Sequence, residues 1–227
     1  MYSIATTITP KIKKFKISGS IKTDEGVASG VSVKFTSATE TVISTTSGDL
    51  GAYSIENVIY GSTGTITVSK TGYTDATASI SEPITNDVTK DIEINIKKLS
   101  LSGTITLSSG INFPSEGVTG SFTPEGKDPV PAKIEADGTT LTKGNLSFEQ
   151  TFSYGTKGSL SIAYPGYTFT AKSYTIDKDI TDTYLLNAIS YTVKYDKGDA
   201  PDGSGVMDSQ TVSYDDSSAK IAANKFT

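Results

Sequence analysis

Apolar and polar residues alternate with a period of two along most of the chain. In Phe15–Ile21, residues 15, 17, 19 and 21 share one face and the polar residues between them share the other. The same alternation recurs in Val31–Phe35, Ile66–Val68 and Ile92–Ile96. A period of two is typical of β-strands with one buried and one solvated face. No segment has the 3.6-residue period of an amphipathic helix. The pattern predicts an all-β chain of short strands, arranged as β-sandwiches.

The chain contains an internal repeat. Tyr60–Tyr73 aligns without a gap on Tyr154–Tyr167 at an offset of 94 residues, and both segments keep three glycines at matching positions. Ile17–Ile21 aligns on Leu101–Ile105 at an offset of 84, so the second copy holds about ten extra residues, which we place within Phe113–Gly138. The repeat predicts an N-terminal extension and two sandwiches that abut without a flexible linker. Their ranges are 1–14, 15–98 and 99–189.

The motifs of the first copy resemble those of a known family. They are the Ser-Gly pair and the Gly-Val run within Ile17–Phe35, the Gly-Ala-Tyr segment Gly51–Val58, and Gly64–Tyr73 with its closing Gly-Tyr. This series resembles the carboxypeptidase regulatory-like domain and its relatives, the Cna B-type and transthyretin-like sandwiches. The second copy resembles the family at both ends. The resemblance implies two Greek-key sandwiches of about seven strands each.

The Gly-Tyr pairs that close the repeated segments have a predicted role of their own. We expect Gly72 and Gly166 to adopt positive φ, and Tyr73 and Tyr167 to pack over the sandwich ends.

The last part of the chain has a different pattern, formed by Tyr191, Val193, Tyr195, Asp196, Gln210, Val212, Tyr214, Asn224 and Phe226. This pattern resembles the opening of the Listeria–Bacteroides repeat, a β-grasp-like module of bacterial surface proteins. The closing hairpin of that repeat is missing, so residues 190–227 are interpreted as a partial module. We expect this segment to be the least ordered in solution, with Tyr214 buried only against its own hairpin.

Composition excludes several kinds of chemistry. The chain of 227 residues contains no His, Cys, Trp or Arg, whereas it has 34 Thr and 30 Ser. It therefore lacks a Ser-His-Asp triad, a thiolate nucleophile and the ligands of common zinc sites. The net charge of −5 argues against a nucleic-acid partner, because phosphate binding needs a basic surface. No cofactor is predicted.

Acidic residues supply weak site candidates. Asp196, Asp199 and Asp202 precede Gly203 and could bind calcium, although the bidentate Glu of a calcium loop is missing and a solvated turn is the alternative. The pairs Asp24–Glu25 and Asp215–Asp216 are candidates for catalysis but are also common in turns.

A covalent cross-link is a further possibility that the resemblance raises. Some Cna B-type domains join a Lys of the first strand to an Asn of the last strand with the help of a Glu. Lys13 or Lys16 could pair with Asn95 in this way. However, Lys16 and Asn95 fall on solvated faces and residues 66–71 contain no Glu, so we expect no such bond.

These features predict a non-enzymatic segment of a bacterial extracellular or cell-surface protein that acts as a stalk or adhesion-type spacer. The alternative is a glycan- or protein-binding accessory module of a secreted hydrolase. The 12 Tyr and 8 Phe could form a sugar-binding surface, although Trp, which stacks best on a sugar ring, is absent. A host or cell-surface protein, a glycan, or neighbouring domains of a longer chain are the expected partners. No export signal and no membrane-spanning segment are found in the sequence, so membrane insertion is not expected.

Overall fold

The computed structural model describes residues 11–24, 26–37, 43–198, 205–223 and 225. Within these residues the regular secondary structure consists of β-strands, so the prediction of an all-β chain is confirmed. No helix in the described part of the chain is long and apolar enough to cross a bilayer. The chain divides into two compact units, Met1–Lys97 and Lys98–Thr227, which we call unit 1 and unit 2.

Unit 1 is built from two sheets. Its strands are β1 (Lys14–Thr23), β2 (Gly26–Val27), β3 (Ser32–Ser37), β4 (Ile43–Thr46), β5 (Ala52–Ile59), β6 (Gly64–Ser69), β7 (Ala76–Ile80), β8 (Val88–Thr89) and β9 (Ile92–Ile94). In the first sheet, β1 pairs with β2 and β5 antiparallel and with β8 and β9 parallel. The second sheet has the order β4-β3-β6-β7.

Unit 2 repeats this architecture with additional strands. It contains β10 (Lys98–Leu99), β11 (Leu101–Leu107), β12 (Thr119–Pro124), β13 (Val130–Pro131), β14 (Lys133–Ala136), β15 (Lys143–Ser147), β16 (Phe152–Ser153), β17 (Thr156–Ala163), β18 (Tyr167–Thr168), β19 (Lys172–Ile176), β20 (Ile180–Ala188), β21 (Ser190–Val193) and β22 (Gln210–Ser213). The two main sheets have the orders β14-β15-β11-β20-β18 and β13-β12-β17-β19. The strands β21 and β22 form a separate antiparallel hairpin.

Each unit has its own hydrophobic core, which lies between its two sheets and contains the residues that alternation predicts. In unit 1, Val31, Val33 and Phe35 of the second sheet are buried together with Ile17 and Ile21 of the first. In unit 2 the core includes Leu101, Ile105, Phe122, Leu160 and Leu186. Burial of these aliphatic and aromatic side chains is the main favourable term that holds the sheets together.

The sequence repeat corresponds to a repeat in strand pairing. Phe35 lies opposite Ile66 in unit 1, and Phe122 lies opposite Leu160 in unit 2. The closing glycines also match, because Gly72 has φ 84° and Gly166 has φ 83°. Both glycines therefore adopt the left-handed conformation that the sequence predicts for this turn. Tyr167 is buried as expected, while Tyr73 is half-buried.

Candidate functional site

In the sandwich of each unit, the first long strand lies beside and parallel to the closing strands, with β1 next to β8 and β9 in unit 1 and β11 next to β20 in unit 2. In unit 1, Ile17 of β1 lies beside Val88 of β8, and Ile21 lies beside Ile92 of β9. In unit 2, β11 and β20 pair without interruption from Leu101 with Ile180 to Leu107 with Leu186. We call each of these pairings the terminal ladder of its unit. Because the paired strands run in the same direction, the chain enters each sandwich at one end of the ladder and leaves it at the other.

At the start of each terminal ladder, an aspartate side chain accepts hydrogen bonds from the first long strand. Asp87 Oδ1 accepts a hydrogen bond of 2.9 Å from the backbone N–H of Lys16. At the matching place in unit 2, Asp179 Oδ1 accepts bonds of 2.8 Å from both the backbone N–H and the hydroxyl of Ser100. These two donors lower the pKa of Asp179, the backbone N–H having the larger effect.

A second aspartate bridges the break in the ladder of unit 1. Between β8 and β9 the carboxylate of Asp91 accepts hydrogen bonds from the backbone N–H and the hydroxyl of Ser20, at 2.8 Å and 2.9 Å. The backbone N–H bond is the main reason that the pKa of Asp91 is lowered. Next to it, the Lys90 N–H donates to the carbonyl oxygen of Ser18 at 2.8 Å. Side-chain and backbone bonds thus replace regular pairing at this point.

A glycine in the first strand allows the ladders to form. A Cβ atom at Gly19 would lie 2.0 Å from the carbonyl oxygen of Lys90, and a Cβ at Gly103 would lie 2.4 Å from that of Asp182. Rings also cover these glycines, because Tyr53 lies over Gly19 and Tyr184 over Gly103. Only glycine fits at such distances from backbone atoms, which accounts for the Ser-Gly pair in both copies.

Unit 2 has a polar cluster that joins its two sheets, formed by Lys172 and Tyr174 of β19 with Asp182 and Tyr184 of β20. We call it the inter-sheet cluster. Lys172 Nζ lies 2.5 Å from Asp182 Oδ2, and the Tyr174 hydroxyl donates to the same oxygen at 2.7 Å. The Lys172 ammonium also lies 5.8 Å from the ring centroids of Tyr174 and Tyr184. Lys172, followed by the Tyr174 hydroxyl, lowers the pKa of Asp182 to about 2, so the Asp182 carboxylate is ionised at neutral pH.

The outward surfaces of the second sheets are rich in hydroxyl groups. In unit 1 these positions alternate with buried ones and hold Ser32, Thr36, Ser44, Thr46, Thr65, Thr67, Ser69, Thr77 and Ser79, together with Lys34. The corresponding positions of unit 2 hold Thr119, Ser121, Thr123, Ser159, Ser161, Ser173 and Thr175, together with Lys157. The exposed large apolar residues of the described part, such as Val27, Leu50, Tyr60, Leu141 and Leu185, are distributed over many strands and loops.

Of the three aspartates that the sequence proposes for calcium, only Asp196 is among the described residues. Asp196 Oδ1 accepts a hydrogen bond of 2.8 Å from the backbone N–H of Gly198, which closes a local turn. Asp199 and Asp202 lie outside the described residues, so the calcium site stays a prediction. Among the residues that are described, no group of three acidic side chains is placed to hold a metal ion.

The described residues of the other two acidic pairs bind protein groups. Asp24 Oδ1 accepts a hydrogen bond from the N–H of Ile96 at 3.3 Å, while Glu25 is not among the described residues. Asp215 and Asp216 bind different groups, Asp215 the distant hydroxyl of Tyr167 and Asp216 the backbone and hydroxyl of Ser218 in a local turn. These bonds fit structural roles.

Lys16 and Asn95 are too far apart for a covalent bond. The register of the terminal ladder places Ile17 beside Val88, so Lys16 lies beside Asp87. Asn95 is eight positions further along the last strand, a separation of about 26 Å at the rise of a parallel strand. Asn95 is also exposed, as its place on the solvated face predicts.

No family model and no curated protein matches the chain. Among solved structures, the chain is similar to the TIE protein of Bacillus anthracis, with a TM-score of 0.56 and 13% identity over 82% of this chain and 37% of that protein. At this identity the likeness shows the fold alone, and the chain spans 37% of that protein's length.

Two pilins give weaker similarities. They are the shaft pilin SpaA of Lactobacillus rhamnosus GG (TM-score 0.31, 10% identity, 78% of this chain and 98% of that one) and the minor pilin GBS52 of Streptococcus agalactiae (TM-score 0.29, 13% identity, 77% and 96%). Both TM-scores are too low to indicate a shared fold, and nothing about this chain is inferred from them. The resemblances to the carboxypeptidase regulatory-like domain and to the Listeria–Bacteroides repeat stay predictions.

Proposed function

We propose that the chain is a non-enzymatic, force-transmitting spacer segment of a bacterial extracellular or cell-surface protein. The observation that carries this proposal is the terminal ladder, in which the first long strand and the closing strands of each sandwich are parallel neighbours. The surface location is supported by the resemblance to modules of bacterial surface proteins.

Parallel terminal strands determine how a pulling force acts on a unit. A force applied through the chain pulls the first strand of a unit backwards and the last strand forwards, along their shared direction. The hydrogen bonds between the strands lie across this direction, so all of them are loaded together in shear. If the two strands were pulled from the same end, the bonds would be loaded one after another. The terminal ladder therefore suits a segment that transmits force along the chain.

The character of the sheet surfaces also supports a spacer. The outward positions of β3, β6, β12 and β17 are dominated by Ser and Thr, which suit a β-strand and stay solvated. A binding platform would need a contiguous patch of exposed aromatic or apolar side chains. The exposed apolar residues of the described part are scattered instead, which argues against the alternative of a glycan- or protein-binding module.

Single-molecule force measurements on unit 2 test the proposal. Because the chain has no Cys, introduced cysteines provide unique attachment points. The exposed pair Lys97→Cys and Ser190→Cys pulls the ladder of β11 and β20 in shear. The control pair, Lys97→Cys and Lys178→Cys, attaches both handles at the same end of the ladder and opens it bond by bond.

We expect the shear pair to unfold at a several-fold higher force than the control pair, since forced unfolding follows the height of the unfolding barrier. Equal forces, or a higher force for the control pair, would show that the ladder gives no mechanical resistance and would overturn the proposal.

A further inference from the structure

The β21–β22 hairpin is bonded through its backbone to the sandwich of unit 2. After β20 ends, the N–H of Ile189 donates to the carbonyl oxygen of Gly166 at 2.9 Å. The N–H of Tyr214, which follows β22, donates to the carbonyl oxygen of Ile189 at 2.8 Å. Both ends of the hairpin are therefore fixed at the turn that contains Gly166 and Tyr167.

Aromatic rings form the centre of this contact. The Tyr214 ring meets the Tyr167 ring edge to face with centroids 5.7 Å apart, and Tyr167 in turn stacks on Tyr164 at 5.4 Å. Tyr214 also lies directly over Gly166, where a Cβ atom would be 2.2 Å from its ring. The sequence-based expectation that Tyr214 is buried only against its own hairpin is therefore wrong. Sequence alternation assigns a face to Tyr214 but cannot identify a partner that lies 47 residues earlier in the chain.

A chain of hydroxyl groups adds a polar contact beside the rings. The Tyr167 hydroxyl donates to Asp215 Oδ2 at 2.9 Å and lies 2.5 Å from the Ser109 hydroxyl, which is then the donor to Tyr167. Tyr167 is only 7% exposed, and burial is the main reason that its pKa is raised. The hydroxyl therefore stays protonated and available to Asp215.

We propose that Ser109, Tyr164, Gly166 and Tyr167 form a docking surface for the segment that follows the second sandwich, with Tyr214 and Asp215 as its anchors. We call these four residues the corner surface. The docked hairpin extends the folded body of unit 2 beyond the end of β20, and the junction is a stiff joint instead of a flexible tether. Its meaning for force transmission rests on the proposed function, whereas the docking itself does not.

The hairpin packs closely on the corner surface at the tyrosine rings, but a groove remains beside them. A groove of about 310 Å³ remains between the loop after β11, which includes Ser108 and Ile111, and residues 213–218. One aromatic contact and one charge-assisted hydrogen bond then provide most of the side-chain interaction. We therefore expect the hairpin to be protected from hydrogen exchange, but less strongly than the terminal ladder.

Hydrogen exchange of the full chain tests this proposal. In the unmodified protein the amides of β21 and β22 should exchange clearly more slowly than those of an unstructured peptide. The variant Tyr214→Ala should accelerate them about thirtyfold, while the amides of β11 and β20 keep their protection. Tyr191→Ala is the matched control, because Tyr191 lies on the same hairpin but is 51% exposed and has no contact with the corner surface among the ring contacts described.

A second variant keeps the test valid if Tyr214→Ala also loosens the sandwich. Tyr167→Phe retains the ring but removes the hydroxyl that Asp215 binds, and should accelerate exchange in the hairpin several-fold. The equivalent change in unit 1, Tyr73→Phe, should leave the hairpin unaffected. Hairpin amides that exchange at unprotected rates in the unmodified chain, or equal effects of Tyr214→Ala and Tyr191→Ala, would overturn the proposal. The force measurement with handles at 97 and 190 does not load the hairpin, so either proposal can fail without the other.

Discussion

Units 1 and 2 share their strand pairing but stabilise the same place in the fold by different chemistry. Ile21 pairs with Ile92 in unit 1, and its counterpart Ile105 pairs with Tyr184 in unit 2. Likewise Ile80 lies opposite Gly64, whereas Tyr174 lies opposite Gly158. The inter-sheet cluster of unit 2 therefore occupies a position that unit 1 fills with the buried side chains of Ile80 and Ile92.

The two solutions have different physical consequences. An apolar contact between sheets depends on burial and is insensitive to pH. An ion pair with tyrosine hydroxyls around it depends on the charge of Asp182 and on geometry, and it gains less from burial because charges must lose water. Unit 1 in turn holds its last strand with Tyr53, whose hydroxyl donates to the carbonyl oxygen of Lys90 at 2.5 Å. The shared backbone architecture is therefore compatible with both an apolar and a polar connection between the sheets.

The largest effect is expected at the shared glycine. Gly103→Ala would place a Cβ atom 2.4 Å from both the Asp182 carbonyl oxygen and the Tyr184 ring, so the ladder of unit 2 must shift. We expect a loss of about 3 kcal/mol in the free energy of unfolding, measured by denaturant titration. Gly138→Ala is the control, because no atom lies within 4 Å of a Cβ at that position. Gly19→Ala should have a similar cost in unit 1, and a neutral result in either unit would contradict the close approach of the terminal strands.

The next effect distinguishes the two ladders under force. Unit 2 has seven described pairs between β11 and β20, whereas β1 has two with β8 and three with β9. If the bonds share the load, unit 2 should resist a roughly 1.4-fold higher force, the ratio of seven pairs to five. The comparison uses handles at Lys13→Cys and Lys97→Cys for unit 1 and at Lys97→Cys and Ser190→Cys for unit 2. A higher force for unit 1 would mean that the bonds of Asp91 and Tyr53 more than compensate for the missing pairs.

The sequence predicts the faces of the strands well, because burial imposes a strict alternation. Val31, Val33 and Phe35 are buried as predicted, and the two Gly-Tyr turns have nearly equal φ angles. The repeat offset predicts about ten extra residues within Phe113–Gly138, and strands β13 and β14 lie in that stretch of unit 2. β14 adds an edge strand next to β15, whereas β13 takes the edge position beside β12 that β4 takes beside β3 in unit 1.

The alternation does not identify the strands against which these faces pack. A two-residue period predicts which side chains point inward, but it does not predict which strand lies beside β1 or in which direction that strand runs. The parallel pairing of β1 with β8 and the contact of Tyr214 with Tyr167 join distant parts of the chain, and the ion pair of Lys172 with Asp182 joins two consecutive strands that belong to different sheets. Each depends on the packing of whole sheets, so local sequence patterns cannot predict it.

A smaller effect concerns acid stability and belongs to unit 2. The folded-state pKa of Asp182 is lowered to about 2 from an ordinary value of 3.8, so its ionised form stabilises the fold. This contribution is fully present above about pH 4 and is lost as the pH falls towards 2. The Asp182 side chain is 29% exposed, so water screens its interaction with Lys172 and limits the contribution of the pair to stability. Asp182→Asn should therefore reduce the free energy of unfolding by about 1 kcal/mol at neutral pH.

The pH profile separates this role of Asp182 from simple packing. In Asp182→Asn, protection of the β20 amides should fall less steeply between pH 4 and 2 than in the unmodified chain. Asp177→Asn, a change at a neighbouring exposed carboxylate, is the control and should keep the original profile. Identical acid profiles for Asp182→Asn and the unmodified chain would show that the ion pair does not contribute.

An effect of similar size concerns Tyr53 in unit 1 and changes at alkaline pH. Tyr53 is 4% exposed, and burial, with a further contribution from Asp91, raises its pKa to about 12. A raised pKa means that the neutral hydroxyl stabilises the fold below pH 10, and that this stabilisation is lost as the pH rises from 10 towards 12, because the unfolded chain ionises first. Tyr53→Phe removes the bond to Lys90 and should cost about 1 kcal/mol at neutral pH. The difference in free energy of unfolding between the variant and the unmodified chain should shrink at about pH 11, when unfolding is followed by exchange of the β1 amides.

Tyr60→Phe is the control. The Tyr60 side chain is 53% exposed, so this variant should show neither the cost nor the pH dependence. A difference that stays constant or grows with pH would mean that the Tyr53 hydroxyl does not hold the last strand of unit 1 in the way its geometry indicates.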